Sequence, residues 1–239
     1  WHTDPGSGYR WSPTALAHSL DLMTRDSPAD VRVLWELNRF HHFVALGLAW
    51  QLTDDSRYVD FFVDQLRDWL EANPMGKGVN WASAMEVAIR AVNWLIAGAL
   101  MQEGLPTEFQ RTLLGALLNH GRFIRANLEI TRITTNHYLA DLAGLAVLGL
   151  ALPGREPTRW RCFALRELAR EVSFQVYPDG VDFEASSSYH TLATELVALP
   201  IQLAHQMGIE LPHNLEARQS LMEKAILCLT RPDGTAPII

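Results

Sequence analysis

Three short stretches of this sequence bring together residue types that do chemistry. In Thr134-Thr135-Asn136-His137-Tyr138, a carboxamide and an imidazole open an apolar run containing Leu139, Leu142, Leu145 and Leu148. A Thr or Asn at that place caps a helix, and the unsatisfied N–H groups of the first turn favour an anion. Asn136 and His137 therefore stand where a ligand carboxylate would be stabilised, or they serve only as a cap and a packed polar residue. The second stretch, residues 179–190, is an acidic turn running through Asp182 and Glu184 into Ser186, Ser187, Ser188, Tyr189 and His190. It reads as a substrate-facing loop and helix start, or as an exposed turn with a serine N-cap. Tyr189 and His190 are adjacent and so diverge by about 100° on a helix, which leaves one of them a supporting part. The third stretch runs from Asn80-Trp81 through Glu86 to Arg90. A Trp beside an Asn at a loop-to-helix junction offers a flat amphipathic surface on which a sugar ring can stack. Glu86 and Arg90, four apart, share a helical face and can pair. Core packing of Trp81 and an ordinary ion pair are the competing account of that stretch. Glu36 and Arg39, in a similar segment, read as inter-helix pairing.

The elements that must position these residues are helical. Apolar residues recur at three- and four-residue intervals, as in Phe61, Leu66, Trp69 and Leu70, or Val87, Ala91, Trp94 and Leu95, and strand-like alternation is nearly absent. Pro, Gly and Asn divide the pattern into helices expected near 12–24, 29–52, 55–72, 82–103, 107–127, 136–151, 157–175, 185–207 and 213–229. The connections are short, so successive helices should pack as antiparallel hairpins, in a solenoid or a closed ring. The longest irregular stretches are residues 73–80 and 177–184, and loops of that length on a packed scaffold are where sites usually lie.

The 239 residues, 48% of them hydrophobic, suffice for a core without disulfides. Cys162 and Cys228 lack metal-ligand spacing and read as small buried hydrophobes. A net charge of −7 argues against nucleic acid as a partner and gives no long-range attraction for a polyanion. Local cations would have to do that work, and 18 of the 20 basic residues are Arg, the better bidentate ligand for carboxylates. The longest apolar stretch, Leu139 to Leu152, is interrupted by Asp141, so no membrane span is expected. The chain start lacks the basic and apolar regions of a secretory signal.

The segments Trp35 to Arg39, Asn80 to Arg90, Asn136 to Leu145 and Asp179 to His190 occur in this order in proteins of the heparinase II/III family and the related alginate and oligoalginate lyases, which this sequence resembles. The resemblance spans positions 35 to 190. It implies an all-α fold, an incomplete (α/α) toroid of antiparallel helical hairpins filling residues 1–239 as one domain. It also implies that the chain is a piece of a longer lyase, whose β-sandwich domain would follow and supply a further histidine and often a metal. No cofactor is expected in the helical part. The expected partner is an acidic polysaccharide, of glycosaminoglycan or alginate type, and localisation stays open between a periplasmic or secreted bacterial protein, which is favoured, and a cytoplasmic one.

The implied reaction is β-elimination: a proton leaves C5 of a uronate and the bond to O4 breaks. C5 is very weakly acidic while the neighbouring carboxylate is charged, so donors that neutralise it stabilise the enolate-like intermediate, by roughly 3–4 kcal/mol for each well-placed donor. By resemblance, Asn136 and His137 neutralise or assist and Tyr189 carries proton transfer. A tyrosine, with an ordinary pKa near 10, acts as a base only if neighbours lower that value. Asn80, Trp81, Glu86, Arg90, Glu184 and His190 are the expected substrate-binding residues. Two alternatives stay open. An inverting hydrolase would need carboxylates about 6.5–9.5 Å apart, with Glu86, Asp141, Asp182 and Glu184 as candidates; a helical sugar-binding module would need no catalysis.

Overall fold

The computed structural model describes residues 1–22 and 29–237. Among the described residues the secondary structure is helical, with three isolated β-bridges and no strand. The chain divides into two compact units, Trp1–Asn127 and Leu128–Ile239.

The first unit holds α1 (Val31–Asn38), α2 (His41–Thr53), α3 (Ser56–Ala72), α4 (Ala84–Leu100) and α5 (Thr107–Ala126). Asp30 and Asp55 cap α1 and α3, each accepting a backbone N–H two residues on. α2 packs on α3 and α4, and α4 packs on α5. Phe40, Phe43, Phe62, Trp69 and Trp94 form an aromatic core with mostly edge-to-face contacts.

The second unit holds α6 (Asn136–Ala151), α7 (Arg155–Gln175), α8 (Ser187–Gln206) and α9 (His213–Leu229). Every residue of α6 from Tyr138 to Leu150 is buried, as an all-round apolar helix must be. α7 and α8 both pack on α6, and α9 packs on α7 and α8. A Cβ at Gly149 would lie 2.5 Å from the backbone N of Arg161, so only glycine lets α6 and α7 approach this closely. Leu139, Leu142, Leu168, Val172, Val197, Leu215 and Met222 make one buried cluster, each side chain contributing about 1.5–3 kcal/mol.

Three sequence expectations need correction. Residues 12–22 of the expected helix 12–24 are irregular apart from a 3-10 turn at Ala17–Ser19, and residues 23 and 24 lie outside the described residues. The backbone there bonds to the 76–78 loop instead: the Ala17 N–H donates to the Gly76 carbonyl and the Gly78 N–H to the Ala15 carbonyl, both at 2.9 Å. The expected helix 29–52 is two helices, broken where Phe40 takes a left-handed backbone, φ 58°. That conformation drives the Phe40 ring into the aromatic core, and the Asn93 amide donates to the released Arg39 carbonyl at 2.7 Å. Cys162 and Cys228 are exposed, not buried. Cys162 lies off the α7 stripe of Trp160, Ala164, Leu165 and Leu168, and Cys228 follows Ala225, the last buried residue of α9.

Among the described residues no helix is long and apolar enough to cross a membrane, and no three His, Cys, Asp or Glu side chains gather where they could hold a metal.

Candidate functional site

In the second unit the apolar run fixes where α6 begins, and Thr135 caps it by accepting from the His137 N–H. The anion position at this helix start is filled from within the chain. The Asn136 N–H donates to Glu184 Oε1 at 2.8 Å, and Asn136 Nδ2 donates to Oε1 and Oε2 at 2.9 and 3.0 Å. Asn136 is 5% exposed. The two oxygens of one carboxylate subtend a much smaller angle at Nδ2 than its two N–H bonds, so one hydrogen serves both and the other points away from Glu184.

His137 is about half exposed, and its Nδ1 donates to Glu129 Oε2 at 2.6 Å. The Glu129 backbone N–H in turn donates to Asp141 Oδ2 at 2.7 Å. Asp141 is fully buried with Oδ1 unpartnered, and burial, opposed by that hydrogen bond, raises its carboxyl from 3.8 to about 8. At neutral pH much of Asp141 is therefore protonated.

The 177–184 loop is a tight turn. Tyr177 and Val181 join by a backbone hydrogen bond, and Val176 bridges Asp182. Gly180 has φ 94°, and a Cβ on it would lie 2.2 Å from the Leu221 carbonyl oxygen, so the turn tolerates only glycine. Ser186 caps α8. The first turn of α8 separates its two adjacent aromatics as helical geometry requires: Tyr189 is 49% exposed and His190 is 2% exposed. His190 Nδ1 accepts from the Asp182 N–H at 3.2 Å and its Nε2 donates to the Met222 carbonyl at 3.1 Å, so the ring is fixed as one neutral tautomer. The Glu184 N–H donates to Asp182 Oδ1 at 2.9 Å. Burial raises the pKa of Asp182 despite that hydrogen bond. Asn136, Glu184, Asp182 and His190 thus form one connected network beside Tyr189.

A cavity of about 250 Å³ is lined by Arg132, Ile133, Thr134, Phe174, Gln175 and Phe183. Thr134 and Phe183 stand next in sequence to the Thr135 cap and to Glu184. Its lining sets Ile133, Phe174 and Phe183 beside the polar Thr134 and Gln175 and one guanidinium.

The remaining expected residues lie in the first unit, and the structure gives each an intramolecular partner. Glu86 pairs with Arg39, whose Nε and Nη2 donate at 2.7 and 2.8 Å, and Arg39 also pairs with Glu36. The expected Glu86–Arg90 pair is therefore replaced by a bidentate Glu86–Arg39 pair, while Arg90 is fully buried with its guanidinium 4.4 Å from the Trp69 ring and within 6 Å of Trp81 and Trp94. Arg90 Nε donates to His120 Nε2 at 3.2 Å and Nη2 to the Asn80 carbonyl at 3.0 Å. Desolvation lowers Arg90 to about 9, which leaves it charged at neutral pH. Desolvation and the Arg90 charge hold His120 well below 6.5 and neutral. Trp81 is 3% exposed and donates to the Asn73 carbonyl, so as folded it presents almost no face for a ring to stack on. The Asn80 amide donates to the Trp1 carbonyl and to Asn73 Oδ1.

Sequence reasoning missed Glu129, Asp141 as its backbone anchor, and His120. Glu129 lies eight residues before its histidine in an irregular segment, where no periodicity gives a direction. Asp141 alone carried a signal, as a lone charge in an apolar run.

Residues 6–239 match the family described as Heparinase II/III N-terminus. The heparin-sulfate lyase of Pedobacter heparinus is 26% identical over 219 residues, 87% of this chain and 33% of that protein. A heparin-sulfate lyase of Bacteroides stercoris is 24% identical over 200 residues, 75% of this chain and 30% of that protein. The crystal structure of the heparan sulfate lyase from Pedobacter heparinus superposes with a TM-score of 0.69 at 23% identity, covering 91% of this chain and 35% of that one. The chain thus spans about a third of the length of these relatives, and its all-helical fold is that of the helical N-terminal domain of heparinase structures.

Proposed function

This chain belongs to the heparinase II/III N-terminal family, and from that premise we propose that it is the helical, substrate-gripping part of a polysaccharide lyase that cuts a uronate-containing glycosaminoglycan by β-elimination. The observation that carries the reading is the network joining Asn136, at the start of α6, to the first turn of α8, which bears the half-exposed Tyr189. It ties a donor suited to the uronate carboxylate to the helix turn that carries a hydroxyl suited to proton transfer.

In this mechanism the second N–H of the Asn136 amide takes the substrate carboxylate and draws charge off it, so that C5 becomes acidic enough to ionise. His137, with Glu129 fixing its Nδ1–H, assists that neutralisation or takes the C5 proton itself. Tyr189 transfers a proton at C5 or at the departing O4. The cavity lined by Phe174, Phe183 and Arg132 has room for a sugar ring and one cation for an acidic substituent. Relatives named for heparin sulfate direct the proposal toward glycosaminoglycans rather than alginate. In the first unit, the buried Trp81, Asn80, Arg90 and Glu86 contribute by holding their helices in place.

In the full-length enzyme, Tyr189→Phe and His137→Ala should each lower turnover at least about 100-fold, the loss expected for a proton-transfer group, with melting temperatures unchanged. Near-wild-type turnover in either variant removes that residue from the mechanism.

A further inference from the structure

Asn136 can neutralise a uronate only if its amide presents N–H and not oxygen to the substrate. A carboxamide alone has no strong reason to choose, because its two orientations fill the same space. Here the choice is made by Glu184. Rotating the amide by half a turn would bring Asn136 Oδ1 against the carboxylate, replacing two charge-assisted contacts at 2.9 and 3.0 Å by repulsion. The same carboxylate holds the Asn136 backbone N–H, so main chain and side chain are fixed together.

Glu184 is itself held. Its N–H is fixed by Asp182, and Asp182 is fixed by His190, which is anchored to the Met222 carbonyl. Ala185, the next residue, has a left-handed backbone, φ 55°. A residue with a Cβ is strained there, and such strain persists where surrounding contacts over-determine the backbone. The local sequence thus accepts strain to put the Glu184 carboxylate at the start of α6.

We propose that Glu184 is a positioning residue for the elimination, fixing Asn136 as a donor at a set distance from the helix turn that bears Tyr189. This inference rests on the lyase reading above. It assigns Glu184 no contact with substrate.

The test measures kcat and KM of the full-length enzyme on heparan sulfate and on the same polymer with its uronates methyl-esterified. An ester carries no charge to neutralise, so it depends less on Asn136. Glu184→Ala should lower kcat about 100-fold on the acid, comparable to losing one oxyanion donor, with KM within about threefold. The loss on the ester should be at least tenfold smaller. Glu184→Gln keeps an acceptor oxygen and should recover part of kcat; it carries the same comparison if a melting curve shows that Glu184→Ala does not fold. Equal loss on both substrates would overturn the proposal. So would a change confined to KM, whether a rise, as for a substrate contact, or a fall, as for an occupant that substrate displaces. Asn136→Ala distinguishes the layers: if it retains wild-type kcat, the reading of Asn136 fails; if it is inactive while Glu184→Ala is not, only the positioning role fails.

Discussion

Asp141 couples the folded state to pH through a single buried carboxyl. Its pKa is raised from 3.8 to about 8 in the folded chain. A raised carboxyl contributes stability that is whole below about pH 4 and is lost progressively as pH climbs toward 8, because the unfolded chain ionises more easily. Asp141→Asn has no proton to lose, so the melting temperature of the variant relative to wild type should improve steadily between pH 4 and pH 8. A difference that stays constant over that range would contradict the assignment. Residue types in the second unit are legible in the sequence alone: Asn136, His137, Glu184 and Tyr189 stand out by type and spacing. Their partners are not. Nothing in the sequence says that Glu184, 48 residues on, fills the position at α6 where a ligand anion was expected, or that Glu86 pairs with Arg39 rather than with Arg90 four residues away. Long-range pairing depends on how helices pack, and local spacing is silent about that.

Among the elements, the turn at Gly180 controls the loop that carries Asp182 and Glu184. Gly180→Ala places a Cβ against the Leu221 carbonyl and forces a left-handed backbone on a residue with a side chain. It should destabilise the second unit by about 2–4 kcal/mol, and the hydrogen-exchange protection of α8 and α9 should fall with it. Unchanged protection would show that the loop relaxes without cost. Helices from α3 onward are readable, α6 and α9 to the residue, because each is an apolar run or an apolar period bounded by clear punctuation. The break at Phe40 is not readable: the apolar pattern runs through it, and only the demand of the aromatic core for the Phe40 ring bends the chain. The irregular 12–22 stretch escapes for a related reason, since its backbone hydrogen bonds go to a loop some 60 residues away.

At the scale of the whole molecule, composition sets the class and little more. A net charge of −7 does not reveal how the cations are deployed. Arg90 is buried among tryptophans and Arg39 is spent on two glutamates, whereas Arg132 lines a cavity. The family reading rests on four ordered segments, and the match over residues 6–239 extends it to almost the whole chain. The reaction itself remains the central claim. The most direct test follows ultraviolet absorbance of a new C4=C5 double bond while the full-length enzyme digests heparan sulfate, with chondroitin, hyaluronan and alginate alongside. The account predicts a rise on a glycosaminoglycan that disappears in Tyr189→Phe; new reducing ends without that absorbance, or an undiminished rise in Tyr189→Phe, would contradict it.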